Sequence, residues 1–195
     1  MRKFSAHYIF TGTGALLNKG IVITTDQGVI TEVIDTKGDF QERSSVEFYS
    51  GIIIPGFVNA NLNADHLSSM LNSSGSLHPN FTILDDANAS VTSALFNDSH
   101  DELHENSKIC IGLKSNTSHD QQAMLKLIKE LLITFPMISL SQIVSWATRN
   151  SADALSIADQ YGSIEIGKQP GLNLLSGLNM ELFTITPNTT LIKLV

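Results

Sequence analysis

Apolar and polar positions alternate in short runs over the first third of the chain. Residues 3–11, 20–26 and 29–35 are rich in Val, Ile, Thr and aromatic side chains and are therefore predicted to be β-strands. The second and third runs flank Asp26-Gln27-Gly28, where the glycine supplies the positive φ that a tight turn needs. This pattern predicts a β-hairpin.

A continuous apolar run at residues 51–54 follows the alternating residues 46–49. Turn residues bound this run, which is typical of a strand buried on both faces, as in a parallel sheet or a barrel. Because side chains alternate along a strand, Asn61 and Asn63 are expected to point the same way at its C-terminal end.

Residues 64–106 differ in character, because Ser, Asn and Asp crowd there and the apolar residues follow no sustained period. Such a composition buries little apolar surface, so this segment is predicted to form loops or partial disorder. An apolar run at residues 108–112 then predicts a short buried strand.

Two amphipathic helices are predicted next. A capping-box pattern at residues 118–121 precedes apolar residues at helical spacing, and Pro136 ends this helix. Residues 139–142 repeat the capping pattern before the second helix, and a short third helix is expected at residues 152–157. Apolar side chains on these stripes, including Trp146, are predicted to lie in the core.

The C-terminal part returns to the strand pattern. Residues 162–167 are predicted to be a strand pair or a turn, and residues 172–175 a strand. Residues 190–195 alternate weakly and are expected to close a sandwich beside the N-terminal strands. Contact between the two ends would account for the folding of a short chain.

Composition narrows the class of protein. The 195 residues suffice for one ordinary domain or two small ones. A net charge of −7 without a basic cluster argues against nucleic acid or an anionic membrane as a partner. No signal peptide and no apolar run long enough to span a bilayer are recognisable, and Cys110 is the single cysteine. A cytoplasmic protein without membrane or nucleic-acid partners is expected.

Two motifs carry a resemblance to a known family. Residues 51–63 resemble the first barrel strand of the amidohydrolase superfamily, near its cytosine/guanine deaminase and chlorohydrolase branch. Members of that family end this stretch with His-x-His, where this chain has Asn61 and Asn63. Residues 146–155 and 161–172 resemble the closing signature of the same family, in the same order along the chain.

The resemblance implies a fold that this chain is too short to hold in full. An eight-stranded α/β barrel takes about 250 residues, before the family's β-sandwich is added. We therefore expect an α+β or α/β protein that is internally shortened. Its predicted parts are a small composite β-sandwich from residues 1–50 and 160–195 and a truncated barrel remnant at residues 51–159, with the polar stretch 64–106 inside it.

The resemblance also implies a metal centre, held by the His-x-His pair, two further histidines and an aspartate after the last barrel strand. Such a metal lowers the pKa of bound water to about 7, and the resulting hydroxide attacks the substrate. The matching positions here are Asn61, Asn63 and Lys114. Amide oxygens bind zinc poorly, and a protonated lysine cannot be a ligand. These positions are therefore interpreted as vestigial, and no catalytic residue is predicted.

Other side chains are weaker candidates for a replacement metal site. His100 and His104 are spaced i, i+4, but an aspartate stands where the zinc motif has glutamate. His66 and His119 each lie beside an aspartate, as surface histidines often do. Cys110 lies in an apolar run and is predicted to be an inert core thiol.

The sequence therefore favours a degenerate amidohydrolase-like protein without catalysis or cofactor, with a structural or interaction role. A second copy or a protein partner is expected to cover exposed apolar surface. The alternative is a metal-dependent hydrolase or deaminase that acts on C–N bonds of a small cyclic substrate and uses zinc or another divalent metal. A third reading, a small-ligand module with a vestigial pocket, rests on fold analogy alone.

Overall fold

A computed structural model of the chain describes residues 1–39, 45–60, 109–113 and 121–195, together with the backbone of residues 82–84. The predicted polar stretch 64–106 lies outside the described residues except at this short strand. The described strands are β1 (Arg2–Phe10), β2 (Leu16–Asn18), β3 (Ile21–Thr24), β4 (Ile30–Ile34), β5 (Val46–Pro55), β6 (Thr82–Leu84), β7 (Ile109–Ile111), β8 (Leu172–Ser176) and β9 (Thr190–Lys193). The helices are α1 (Gln121–Thr134), α2 (Leu140–Ser145) and α3 (Ser151–Ala154), with a π-helical turn at Trp146–Asn150.

Strands from both ends of the chain form one mixed sheet. Within the described part of the chain its order is β4-β3-β1-β5-β8-β9, and β2 pairs with β1. The predicted hairpin is confirmed, because β3 and β4 pair in antiparallel fashion and Gly28 has φ 88°. The sheet and the helices together confirm the α+β class. The strand β2 was not predicted.

The apolar run at residues 51–54 is a buried strand, but its neighbours differ from those expected. It continues the alternating residues 46–49 as the single strand β5, which pairs in parallel with β1 and antiparallel with β8. The run therefore pairs with strands from both ends of the chain, and its assignment to a barrel remnant stays a prediction. The division of the chain into terminal and barrel parts stays a prediction.

The strand β5 separates two apolar cores. Ile52 and Ile54 face the larger core, which includes the buried side of α1 and α2. Ile53 faces the opposite cluster, where it joins Phe4 and Leu174. All three isoleucines are completely buried, and each contributes about 1.5–3 kcal/mol through removal of apolar surface from water.

The helices follow their sequence signals closely. The helix α1 ends at Thr134, two residues before Pro136. The capping box before α2 is confirmed: the Ser139 hydroxyl accepts from the Gln142 backbone N–H at 3.2 Å, and the Gln142 side chain accepts from the Ser139 N–H at 2.9 Å. The third helix is shorter than predicted. Among the described residues, no helix is long and apolar enough to cross a membrane.

Candidate functional site

Residues 57–60, which follow β5, run beside β7 and form a junction between distant parts of the chain. The Ala60 N–H donates to the Ile111 carbonyl oxygen at 3.0 Å. On the other side, the Val58 N–H donates to the Ala147 carbonyl oxygen at 2.8 Å. We call these contacts, with those of Asn59 and Leu113 below, the strand junction.

Asn59 joins the two segments through its side chain. Its Oδ1 accepts from the Leu113 backbone N–H at 2.8 Å, and its Nδ2 donates to the Leu113 carbonyl oxygen at 3.4 Å. The carboxamide therefore satisfies both backbone polar groups of one residue, as a neighbouring strand would. Asn59 is only 7% exposed, so these bonds form where water does not compete.

The strand β7 is held from its other side by the motif at residues 146–155. The Asn150 Nδ2 donates to the Ile109 carbonyl oxygen at 2.8 Å. The Ser151 hydroxyl lies 3.2 Å from the Ile111 carbonyl oxygen and 2.7 Å from the Trp146 carbonyl oxygen. Polar residues of this motif therefore position β7.

Gln121, the first residue of α1, holds the start of the strand junction. Its Oε1 accepts from the Phe57 N–H at 2.9 Å, and its Nε2 donates to the Phe57 carbonyl oxygen at 3.1 Å. The Asn173 Nδ2 also donates to this Oε1, at 2.8 Å. Sequence reasoning missed both residues. The sequence could have indicated Asn173, because an amide side chain inside the apolar run 172–175 needs a buried hydrogen-bond partner.

The predicted vestigial positions continue the chain beyond this junction. Asn61 is bonded to Ala60, and Lys114 is bonded to Leu113, so each follows one side of the junction in sequence. Asn61, Asn63 and Lys114 themselves lie outside the described residues, and so do the metal candidates His66, His100, His104 and His119. Within the described ranges, no three His, Cys, Asp or Glu side chains are close enough to hold a metal ion.

Cys110, in the middle of β7, is fully buried. Burial raises the pKa of its thiol to about 12, so the thiolate needed for nucleophilic attack is scarce at neutral pH. Cys110 is therefore a buried core thiol, as the apolar residues around it in sequence predict.

A serine, a lysine and a glutamate meet in the turn that precedes β8. The Lys168 Nζ donates to the Ser163 Oγ at 2.8 Å and to the Glu165 Oε2 at 2.6 Å, and the Ser163 hydroxyl also donates to Glu165. The bond from Lys168, followed by that from Ser163, lowers the pKa of Glu165. Ser163 is fully buried and thus inaccessible to a substrate. The cluster closes a turn, as residues 162–167 predict.

Comparison with known proteins identifies the family. A profile of the amidohydrolase family matches residues 57–195, which begin at the strand junction and include β7 and every helix described above. The chain belongs to the amidohydrolase family. This confirms the resemblance carried by the motifs at residues 51–63, 146–155 and 161–172. At 195 residues, this amidohydrolase is shorter than the roughly 250 residues that a complete barrel takes.

Two solved structures share the fold at low sequence identity, with TM-scores of 0.50 and above. An amidohydrolase from Thermotoga maritima MSB8 has a TM-score of 0.55 and 9% identity, with 100% of each chain covered. A prolidase candidate from Bifidobacterium longum has a TM-score of 0.50 and 10% identity, covering 92% of this chain and 89% of that one. The guanine deaminase of E. coli has a TM-score of 0.47 and 11% identity, covering 90% and 88%. No curated protein matches this amidohydrolase.

The residues predicted to stand at the family's ligand positions do not fit its metal. Zinc takes imidazole nitrogen, thiolate sulfur or carboxylate oxygen as ligands. Asn61 and Asn63 supply neutral amide groups, and Lys114 supplies a cation where the family has a carboxylate. These side chains therefore lack the ligand chemistry on which metal-dependent hydrolysis relies.

Proposed function

We propose that this amidohydrolase has lost the metal-dependent hydrolysis of its family and serves as a structural or binding protein. The observation that carries the proposal is the strand junction at Asn59 and Leu113. It brings together the two segments from which the family's first and last ligand positions follow. Those positions hold Asn61, Asn63 and Lys114.

The charge at these positions opposes catalysis as well as metal binding. Hydrolysis of this kind would need a dication to lower the pKa of a bound water to about 7, and an anionic residue to accept the proton that this water loses. The ammonium group of Lys114 has no lone pair to offer while it is protonated, and it would repel a metal ion. Neutral amides at residues 61 and 63 do not compensate for that charge.

A binding role is supported by apolar side chains that remain exposed near the end of α1. Ile133 is 80% exposed and Leu182 is 70% exposed, although both are large aliphatic residues. Such exposed groups, when they cluster, mark surfaces that take a ligand or a partner. We also propose a cytoplasmic location, and that the sheet of terminal strands corresponds to the family's small composite β-sandwich.

Metal content tests the proposal. The protein is purified without chelator, and its zinc is measured before and after incubation with zinc followed by dialysis. We expect no stoichiometric zinc in either sample. Near-stoichiometric zinc that disappears in His100→Ala or His104→Ala, but not in the control His78→Ala, would overturn the proposal. It would favour instead a metal-dependent hydrolase acting on C–N bonds of a small cyclic substrate.

A further inference from the structure

A cleft of about 950 Å³ opens where three segments of the chain meet. The end of β1 contributes Phe10, the start of β2 contributes Leu16, and the end of α1 contributes Leu132 and Ile133. The third wall is the segment between β8 and β9, which contributes Leu182 and Phe183. The volume falls in the range of about 300–1,000 Å³ that small-molecule sites occupy.

The lining of this cleft, which we call the α1 cleft, is unusually apolar for accessible surface. Four of its residues are large apolar side chains that remain exposed: Leu16 at 42%, Ile133 at 80%, Met137 at 58% and Leu182 at 70%. Single exposed apolar residues are common, but a concave group of them indicates that something apolar is bound there.

The lining contains one charged side chain, Lys129, among the residues that the structure describes. Its Nζ donates to the Thr189 carbonyl oxygen at 2.7 Å and to the Pro187 carbonyl oxygen at 3.3 Å. These two bonds fix the ammonium group at the wall of the cleft. An ammonium has three N–H donors, so one remains for a ligand.

The neighbouring charges of α1 do not neutralise this site. Lys126 lies 3.9 Å from the carboxylate of Glu130, and neither residue lines the cleft. No Asp or Glu lies among the described residues of the lining. The site thus pairs an apolar body with one cation, which complements a ligand of opposite charge.

We propose that the α1 cleft binds a small amphiphile with an apolar chain and a single anionic group, such as a medium-chain carboxylate. The apolar walls take the chain, and Lys129 donates to the anionic head. The proposal rests on the binding role proposed above and names its ligand class, but it does not depend on the loss of the metal centre. Gln121, at the strand junction, and Ile133, at the cleft, lie near opposite ends of α1, about 20 Å apart at 1.5 Å per residue.

Calorimetric titration with decanoate, below its micelle concentration, tests the proposal directly. We expect saturable binding at one site per chain. Decyltrimethylammonium carries the same chain with a cationic head, so it should bind at least about tenfold more weakly, because it loses a charge-assisted bond.

Matched variants locate the site. Lys129→Met keeps an apolar stem of similar length, and it should weaken decanoate binding about tenfold. Lys126→Met, on the exposed side of α1, should leave binding unchanged. Lys129 also bonds to the carbonyl groups of residues 187 and 189, so its replacement could change the shape of the cleft as well as its charge. A second pair of variants avoids this ambiguity. Ile133→Asp should abolish decanoate binding, whereas the control Ile166→Asp, at a similarly exposed residue outside the cleft, should leave it unchanged.

The outcomes separate this proposal from its alternatives. Absence of saturable decanoate binding, or equal binding of the cationic amphiphile, would overturn it. The proposal would also be overturned if the protein self-associated with increasing concentration, if Ile133→Asp removed this association, and if decanoate did not affect it. The cleft would then be an interface between two copies of the chain. Zinc content is measured on the same samples, so failure of the metal-loss proposal is seen independently.

Discussion

The side chain of Asn59 forms with Leu113 the two hydrogen bonds that an adjacent strand would form with that residue. The donor and the acceptor of the Asn59 amide both bond to the backbone of this one buried residue, which lies 54 residues away in sequence. The segment after β5 and the segment after β7 are thereby held side by side. The predicted ligand positions 61 and 114 follow these two segments in sequence.

Replacement of Asn59 by alanine should therefore destabilise the fold. It leaves the buried N–H and carbonyl of Leu113 without their side-chain partner, at a cost of about 2–3 kcal/mol. Urea denaturation measures the change, with Asn188→Ala at an exposed position as the control. A loss no larger than that of the control would mean that the junction contributes little to stability.

Gly51 and Gly14 provide a second, paired prediction. Both glycines have positive φ, 144° and 88°, so alanine at either position costs about 1–2 kcal/mol of backbone strain. A Cβ at Gly51 would also overlap the carbonyl oxygen of Leu175 in β8, whereas one at Gly14 meets nothing within 4 Å. We expect Gly51→Ala to lower the free energy of unfolding by a further 1–3 kcal/mol or so. Equal effects of the two substitutions, measured by thermal denaturation, would contradict the close approach of β5 and β8.

Acid should weaken the turn closed by Glu165. Its folded-state pKa lies below the ordinary value of 4.5, chiefly because Lys168 donates to it. The stabilisation is therefore present above pH 4.5 and is lost as the pH falls through the folded-state pKa. The carboxylate is 42% exposed, so screening limits the effect to about 0.5 kcal/mol or less. Stability measured from pH 6 to pH 3 should fall less steeply in Glu165→Gln than in Glu181→Gln, and parallel curves would refute this role.

Restoring the family's ligands should restore metal affinity. The variant Asn61→His, Asn63→His, Lys114→Asp supplies two imidazoles and a carboxylate, which are the groups that zinc prefers. We expect it to retain zinc through dialysis where the natural chain does not. A control with the same changes at scattered exposed residues, Asn18→His, Asn188→His and Lys193→Asp, should retain none. A folded triple variant that binds no more zinc than this control would show that the three positions do not converge.

Local signals predicted much of this fold. The glycine at residue 28 and the apolar runs around it predicted a hairpin, and Ser139 with Gln142 predicted a helix start, because each feature depends on neighbours in sequence. The burial of residues 51–54 was likewise predicted from their composition. The composition of this run did not predict which strands pair with it. Its partners β1 and β8 are far away in sequence, and their pairing with β5 depends on packing between distant segments.

The candidate site was predicted less completely for the same reason. The replacement of the family's ligands at residues 61, 63 and 114 stays a prediction, because it rests on residue types at positions that a motif assigns and these positions lie outside the described residues. The functions of Asn59 and Gln121 were not visible, since each side chain bonds to backbone groups of a distant segment. A polar side chain in a buried motif indicates that a partner exists, but it does not identify that partner.

The position of β5 between β1 and β8 sets an order for folding during synthesis. The strand β1 is synthesised early, and β5 can pair with it as soon as both have been made. The other edge of β5 pairs with β8, whose residues are synthesised more than 100 residues later. Until those residues leave the ribosome, an apolar strand with unpaired backbone groups is open to other chains. A protein arranged in this way should depend on chaperones that shield nascent chains, and expression at low temperature should increase its soluble yield more than a change of buffer would.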